Sequence, residues 1–156
     1  MSFILYPFVR KAMTIGLLSL FWFGFGSCSH QEGGDAVKMS VDSFSQNYFN
    51  WKFQQAMPYV THSSHQWLYY AASQVEQADV DRLRSMVQGA ECQIVDVEEN
   101  PEDSTAISHV EVNGFLCMDT VGKAAHLVDK ATYELKLRFQ NGKWLVELEG
   151  LPKRVK

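Results

Sequence analysis

The hydrophobic pattern changes period once along the chain, near residue 90. Before that point apolar residues recur at helical spacing; after it they alternate. Val37, Val41, Phe44 and Tyr48 stand four or three apart, with Ser40, Ser43, Gln46 and Asn47 between them. That spacing predicts a helix capped by Asp35. Phe53, Ala56, Met57 and Val60 mark a short second helix limited by Pro58. Ser63-Ser64-His65-Gln66 fits a capping box for a third, with Leu68, Ala71, Ala72 and Val75 as its buried stripe. Asp79 is placed to cap a fourth through Val80, Leu83, Met86 and Val87, stopped by Gly89.

The strands follow. Glu91–Glu99 is the first, and Asn100-Pro101-Glu102-Asp103 reads as a type I turn. Thr105–Met118 is the second. Its alternation slips: Val110 and Val112 share one face, then Phe115 and Cys117 carry the apolar parity, with Gly114 between them. A β-bulge at Gly114 would return all four to one face. After a loop around Gly122, a third strand runs from His126 into the clearest element, the hairpin of Thr132–Gly150. Tyr133, Leu135, Leu137 and Phe139 alternate up to Asn141-Gly142, which suits a two-residue type I′ turn. The turn sets Phe139 opposite Trp144, Leu137 opposite Val146, Leu135 opposite Leu148 and Lys136 opposite Glu147. Leu151-Pro152 ends the sheet. Helices followed by a four-stranded antiparallel meander make an α+β fold, with the helices covering one face of a bent sheet.

The N-terminus changes the picture. Arg10 and Lys11 precede Ala12–Gly26, an uncharged apolar run. It is shorter than the ~20 residues of a membrane span and has the form of a secretory h-region. Phe25-Gly26-Ser27-Cys28 resembles a lipobox, so residues 1–27 are expected to be a lipoprotein signal peptide and Cys28 the lipidated residue. Phe25 stands where that motif has an aliphatic residue, and the apolar Phe3–Tyr6 leaves an uncleaved anchor open. Residues 28–35, ending in the polar, glycine-rich SHQEGGD, form the tether, and 36–152 the domain. The partner so implied is a membrane reached through a lipid. Ser29 after the Cys, by likeness to Gram-negative lipoproteins, points to the outer membrane.

The chain's net charge is −4. Cleavage takes Arg10 and Lys11, reducing 14 basic residues to 12 against 18 acidic ones, a net charge of −6. An acidic domain without a basic run is a poor nucleic-acid binder.

The bent sheet on a long first helix resembles the cystatin-like, nuclear-transport-factor-like superfamily, and within it small Gram-negative envelope lipoproteins of unassigned function. The residues carrying the resemblance are Cys28, the first helix with Phe44, Tyr48, Phe49 and Trp51, the stretch Asn113–Thr120, and Gly142-Lys143-Trp144. It implies a cone with a mouth, and a homodimer through the open sheet face. In ketosteroid isomerases it would imply an Asp base with a Tyr and a protonated acid as donors; no stretch here matches that set residue by residue.

His62 and His65 are too few for a metal site, which takes three or four ligands, and a helix start explains them. His109, His126, Asp119 and Asp129 are acid/base candidates at the mouth, although Asp119-Thr120 beside Gly122 also fits a turn. Tyr48 is a donor candidate whose spacing from Phe44 also suits core. Trp51, Trp67, Tyr69 and Tyr70 are core aromatics, a pocket lining or a partner surface. The pocket expected is therefore Tyr48, Trp51, Trp67, Tyr70, His109, Asp119 and His126. Cys92 and Cys117 would find an oxidising envelope. In the register above, however, Cys92 faces Glu111, six residues and about 20 Å from Cys117, where a bridge needs about 7 Å.

No nucleophile motif, nucleotide loop, cofactor motif or metal pattern appears. The reading is a non-enzymatic binding or protein-interaction module, of a small ligand or an envelope protein. The alternative is an isomerase- or hydratase-like enzyme working in the mouth.

Overall fold

The computed structural model describes residues 31–118 and 123–155. Cys28, the signal region and Asp119 lie outside them. Four helices come first: α1 (Gln31–Tyr48), α2 (Phe53–Ala56), α3 (His65–Ser73) and α4 (Gln77–Ser85). Single 3-10 turns at Met57–Tyr59 and His62–Ser64 join α2 to α3. Five strands follow: β1 (Glu91–Asn100), β2 (Thr105–Cys117), β3 (His126–Gln140), β4 (Lys143–Glu147) and β5 (Lys153–Arg154). The first four form an antiparallel meander in chain order, and β5 returns to pair with β3. The α+β architecture is the expected one.

Val37, Val41 and Phe44 on α1 are fully buried and meet Val110, Val112, Leu135, Leu137 and Val146 of the sheet in one core. Burying side chains of this size contributes about 1.5–3 kcal/mol each. α1 is longer than its periodicity predicts. It includes Gln31–Asp35, so Asp35 lies inside the helix instead of capping it, and part of the expected tether is helical. Once the apolar face is docked, an added turn gains one hydrogen bond per residue fixed, and no new nucleus is required.

The other caps differ similarly. Gln66 Nε2 donates to the Ser63 carbonyl, whereas a capping box needs its side-chain oxygen to accept from the N-cap backbone N–H. Ser63 sits in a 3-10 turn, and α3 starts at His65. The neighbouring Ser64 is buried because its hydroxyl has another use: it lies 2.6 Å from Thr61 Oγ1 and accepts from Leu148 N–H at 2.8 Å. At α4 the N-cap is Glu76, and Asp79 is the reciprocal third residue, accepting from Glu76 N–H at 3.2 Å. Its second oxygen accepts from Ala125 N–H at 2.9 Å, while Arg82 donates to the Ala125 carbonyl. Asp79 is thereby buried and satisfied, and pins the segment leading into β3. α4 ends at Ser85, and Val87 beyond it is wholly exposed. Ala72, expected in the buried stripe of α3, is exposed as well.

Asn100 pairs with Thr105, not Asp103, so the β1–β2 connection is a four-residue loop. Asn100 Oδ1 accepts from Glu102 N–H, its amide donates to Asp103, and Ser104 has φ +53°. The loop moves the register by two residues and a bulge at Val95 takes one back, so Cys92 opposes Val112 instead of Glu111. Cys92 and Cys117 are not bridged.

The one-residue register shift in the sheet is on β1, between Ile94 and Asp96, where Val95 is extruded and 58 % exposed. Gly114 does have positive φ, +61°, and Val110, Val112 and Phe115 are all buried, as the parity slip requires. Yet the β2–β3 register is unchanged across it: Asn113 opposes Lys130 and Phe115 opposes Val128. Gly114 and Asp129 drop out of the ladder together, so both strands change face at the same point. A bulge on one strand would have shifted the register; a matched kink bends the sheet and preserves it.

The Asn141-Gly142 hairpin has the expected register. Its charges regroup. Lys136 opposes Glu147 on the backbone, but Glu147 takes a bidentate bond from Arg138 at 2.9–3.2 Å, and Lys136 reaches Glu149 at 3.5 Å. β4 ends at Glu147, so Leu148 is buried without a ladder partner on Leu135. Pro152 does not end the sheet: Lys153 and Arg154 pair with Glu134 and Tyr133. β4 stops short along the edge of β3, which leaves backbone groups there for the tail to satisfy.

Candidate functional site

The mouth forms where α1 ends. Lys52 N–H donates to the Asn47 carbonyl and Trp51 N–H to that of Tyr48, a Schellman closure with Trp51 at the left-handed position, φ +59°. Glycine is the usual occupant, and a large residue there costs about 1–3 kcal/mol. Two contacts hold it. The Asn50 side chain exchanges bonds with both backbone groups of Ala90, and Trp51 Nε1 donates to the Leu116 carbonyl at 3.1 Å. The indole thus becomes one wall of a cavity.

That cavity has a volume of about 300 Å³. Tyr48, Phe49 and Phe53 line its helical side, Tyr70 and Ala71 of α3 with Gln74 just after it one rim, and Phe115–Met118 with Tyr133 the sheet side. Leu151, Pro152 and Arg154 of the returning tail, with Lys123, complete it. The aromatic floor is continuous. Tyr48 stacks on Phe44 at 5.3 Å between ring centroids and meets Phe49 and Phe53 edge-on. Phe49 packs on Tyr133 at 4.6 Å and on Phe115 at 5.6 Å.

Polar atoms gather at the sheet side. Arg154 Nε donates to Tyr133 Oη at 3.3 Å, and Cys117 Sγ lies 3.8 Å from the same hydroxyl. Burial pushes the Tyr48 phenol well above its ordinary range, with Tyr133 and Cys117 adding to the effect. Burial does the same to Tyr133, against the opposing Arg154 hydrogen bond. Both phenols are therefore neutral O–H donors at neutral pH. Among the described residues no hydrogen bond holds the Tyr48 hydroxyl, in contrast to Tyr133 and Trp51. Chemically the lining offers hydrogen-bond donors, a fixed cation and an apolar body. The described lining residues include no carboxylate to act as a base.

Of the residues expected at the mouth, Tyr48, Trp51 and Tyr70 line it. Trp67 does not: it packs partly buried against the core, 6.4 Å from the Tyr70 ring. His109 points to the opposite face of the sheet, its Nδ1 2.7 Å from Asp96 Oδ1 and its Nε2 3.8 Å from Glu134 Oε2. Side chains alternate across a strand, and His109 follows buried Ser108 and precedes buried Val110. His126, paired with Cys117, is exposed at the start of β3 and outside the lining. Asp119 lies outside the described residues. Among those described, no group of His, Cys, Asp and Glu could hold a metal ion.

Tyr133, Cys117, Lys123, Gln74 and Arg154 were missed. Tyr133 and Cys117 read as sheet core, and Arg154 as tail beyond Pro152. A signal was available at Arg154: Lys153-Arg154-Val155 is a strand-compatible stretch that could pair with any edge left open.

No family model and no curated protein matches this chain. Among solved structures it is similar to an Ntf2 like protein involved in plasmid conjugation, at 13% identity and a TM-score of 0.33. The match covers 76% of this chain and 47% of that one, so this chain spans about half its length. A likeness this distant transfers no residue role.

Proposed function

We propose that this chain is a lipid-anchored envelope protein whose domain is a binding module, receiving a small ligand in the mouth. The observation that carries the binding reading is the cavity itself: about 300 Å³, floored by aromatic rings, with the Tyr48 and Tyr133 hydroxyls and the Arg154 guanidinium at its polar side. Ligand sites are of this kind, apolar concavities with a few placed polar groups, and 300 Å³ is at the small end of their range. The address is supported by Arg10 and Lys11, the apolar run after them and Gly26-Ser27-Cys28. Among the described residues no helix is long and apolar enough to cross a membrane.

Two measurements test the two halves. Fragment screening by crystallography should find aromatic fragments between Tyr48 and Tyr133; fragments found only elsewhere would remove the pocket from the account. Whole-protein mass spectrometry of the membrane fraction should show a diacylated Cys28 and no residues before it. An intact N-terminus, or a wild-type mass equal to that expected without acyl chains, would remove the anchor.

A further inference from the structure

We propose that the mouth is selective for a small organic acid: an oxyanion head on Arg154, Tyr133 and Tyr48, and an apolar body against Phe49, Phe53 and Phe115. This rests on the binding reading above and adds the ligand's charge and shape. The first ground is the donor count. A neutral tyrosine has one O–H to give, and arginine carries five N–H donors in a fixed fork. Tyr133 Oη already accepts from Arg154 Nε, and Cys117 Sγ at 3.8 Å is only a weak acceptor for the phenol's own proton, which leaves that proton for a stronger one. A group placed between these side chains therefore meets donors, which an acceptor-only carboxylate satisfies and an amide, itself half donor, does not.

The second ground is charge. The chain is acidic overall, yet the charged side chains in the described lining are Arg154 and Lys123, both cationic. Both are exposed at the cleft's edge, and a cleft lined by one sign of charge concentrates the opposite ion. The third is how the cation is held. Arg154 is not on a mobile surface tail: it pairs with Tyr133 in the sheet, and the next residue's N–H donates to the Thr132 carbonyl at 2.8 Å. A guanidinium fixed in this way suits bidentate recognition of a carboxylate.

The test uses the full-length chain in detergent and two probes of the same shape, 4-phenylbutyrate and 4-phenylbutanamide, titrated by calorimetry at pH 7. The acid should bind at least tenfold more tightly than the amide. Arg154→Gln should bring the acid down to the amide's affinity and leave the amide unchanged, and Arg154→Lys should fall between. Lys123→Gln, which removes the second lining cation, should weaken the acid by a smaller factor than Arg154→Gln and leave the amide unchanged. A thermal melt checks that each variant is folded. Should Arg154→Gln not fold, raising salt on the wild type must weaken the acid alone. Equal affinity of acid and amide would overturn the charge selectivity and leave the pocket standing. Failure of both probes to bind at millimolar concentration would overturn the pocket reading as well.

Discussion

On the outer face of the sheet, His109 sits between Asp96 and Glu134; on the inner face, Tyr133 sits near Cys117 and Arg154. Tyr133 and Glu134 are consecutive residues of β3, so the two clusters share backbone and differ only in which way the strand's alternation sends them. Outside, the carboxylates are exposed to water, and the imidazole between them is hydrogen-bonded to Asp96. Exposed pairs of that kind contribute about 0.2–1 kcal/mol, and a solvated histidine between two carboxylates has little left to offer a ligand. Inside, the groups are neutral phenols enclosed by Phe49, Phe115 and Trp51, beside one fixed cation, Arg154, exposed at their edge. Low dielectric strengthens the two phenol donors there. The residues that look most like chemistry in isolation are thus the less equipped, and those that look like packing carry the polarity of the pocket.

The contrast is broken most strongly by truncating what the inner face rests on. Phe115 is 1% exposed and packs edge-on to both Phe49 and Tyr133. Phe115→Ala should cost about 3–5 kcal/mol by loss of burial and the cavity left behind, read as a fall in denaturant midpoint. Phe139, 45% exposed at the hairpin tip beside Trp144, should cost under half as much when truncated. Equal losses would show that the two ends of the sheet are buried alike.

A smaller effect is expected where the strands change face. A Cβ added at Gly114 meets nothing within 4 Å, so Gly114→Ala tests backbone strain without a clash. An L-residue at φ +61° costs about 1–2 kcal/mol. Since Phe115, Leu116 and Cys117 follow directly, the same variant should weaken binding in the mouth. A stability equal to wild type would mean that the kink persists without glycine.

The phenols give a pH dependence of one sign. Tyrosine ionises near pH 10 when unfolded, and both Tyr48 and Tyr133 are raised in the folded state, chiefly by burial. Their contribution is fully present below the unfolded value and is lost as pH rises towards the folded one. Cys92, pushed up to about 12 by burial with Asp42 adding, behaves likewise from about pH 9. The domain should lose stability progressively above pH 9, by on the order of 1 kcal/mol per phenol at pH 11. Tyr48→Phe should flatten that limb in denaturation series at pH 7–11. An unchanged limb would show that this phenol already ionises freely in the folded domain.

The helices, the strand order and the hairpin register were legible because each follows from local period and turn chemistry. Asn141-Gly142 alone set five strand pairs correctly. The mouth was mostly illegible. Tyr133 alternates with Thr132 and Glu134 like any core residue, and its hydroxyl acquires a role only when Arg154 returns across Pro152. The left-handed Trp51 was hidden for a related reason: propensity puts glycine there, and the bonds that override it come from Asn50 to Ala90 and from the indole to Leu116. The β1 bulge could have been read. Ile94 and Val97 share the half-buried side although three residues apart, a parity slip like the one noticed at Gly114.

The smallest expected effect belongs to the outer cluster. His109→Asn removes the imidazole that bridges Asp96 and Glu134. The backbone keeps its tie, because His109 N–H donates to Asp96 Oδ1 at 3.3 Å whatever the side chain, and the Ser108 hydroxyl donates to the Asp96 carbonyl at 2.9 Å. Both bonds survive the substitution, so the bulged strand stays docked. What is lost is an exposed pair, under about 1 kcal/mol, partly offset because asparagine can still donate to Asp96. Binding of 4-phenylbutyrate should be unchanged, since the sheet separates the two clusters. The pair to compare is therefore His109→Asn and Arg154→Gln in the same titration. If the histidine variant loses as much affinity as the arginine one, the outer face takes part in binding, and the division between a solvated face and a binding mouth fails.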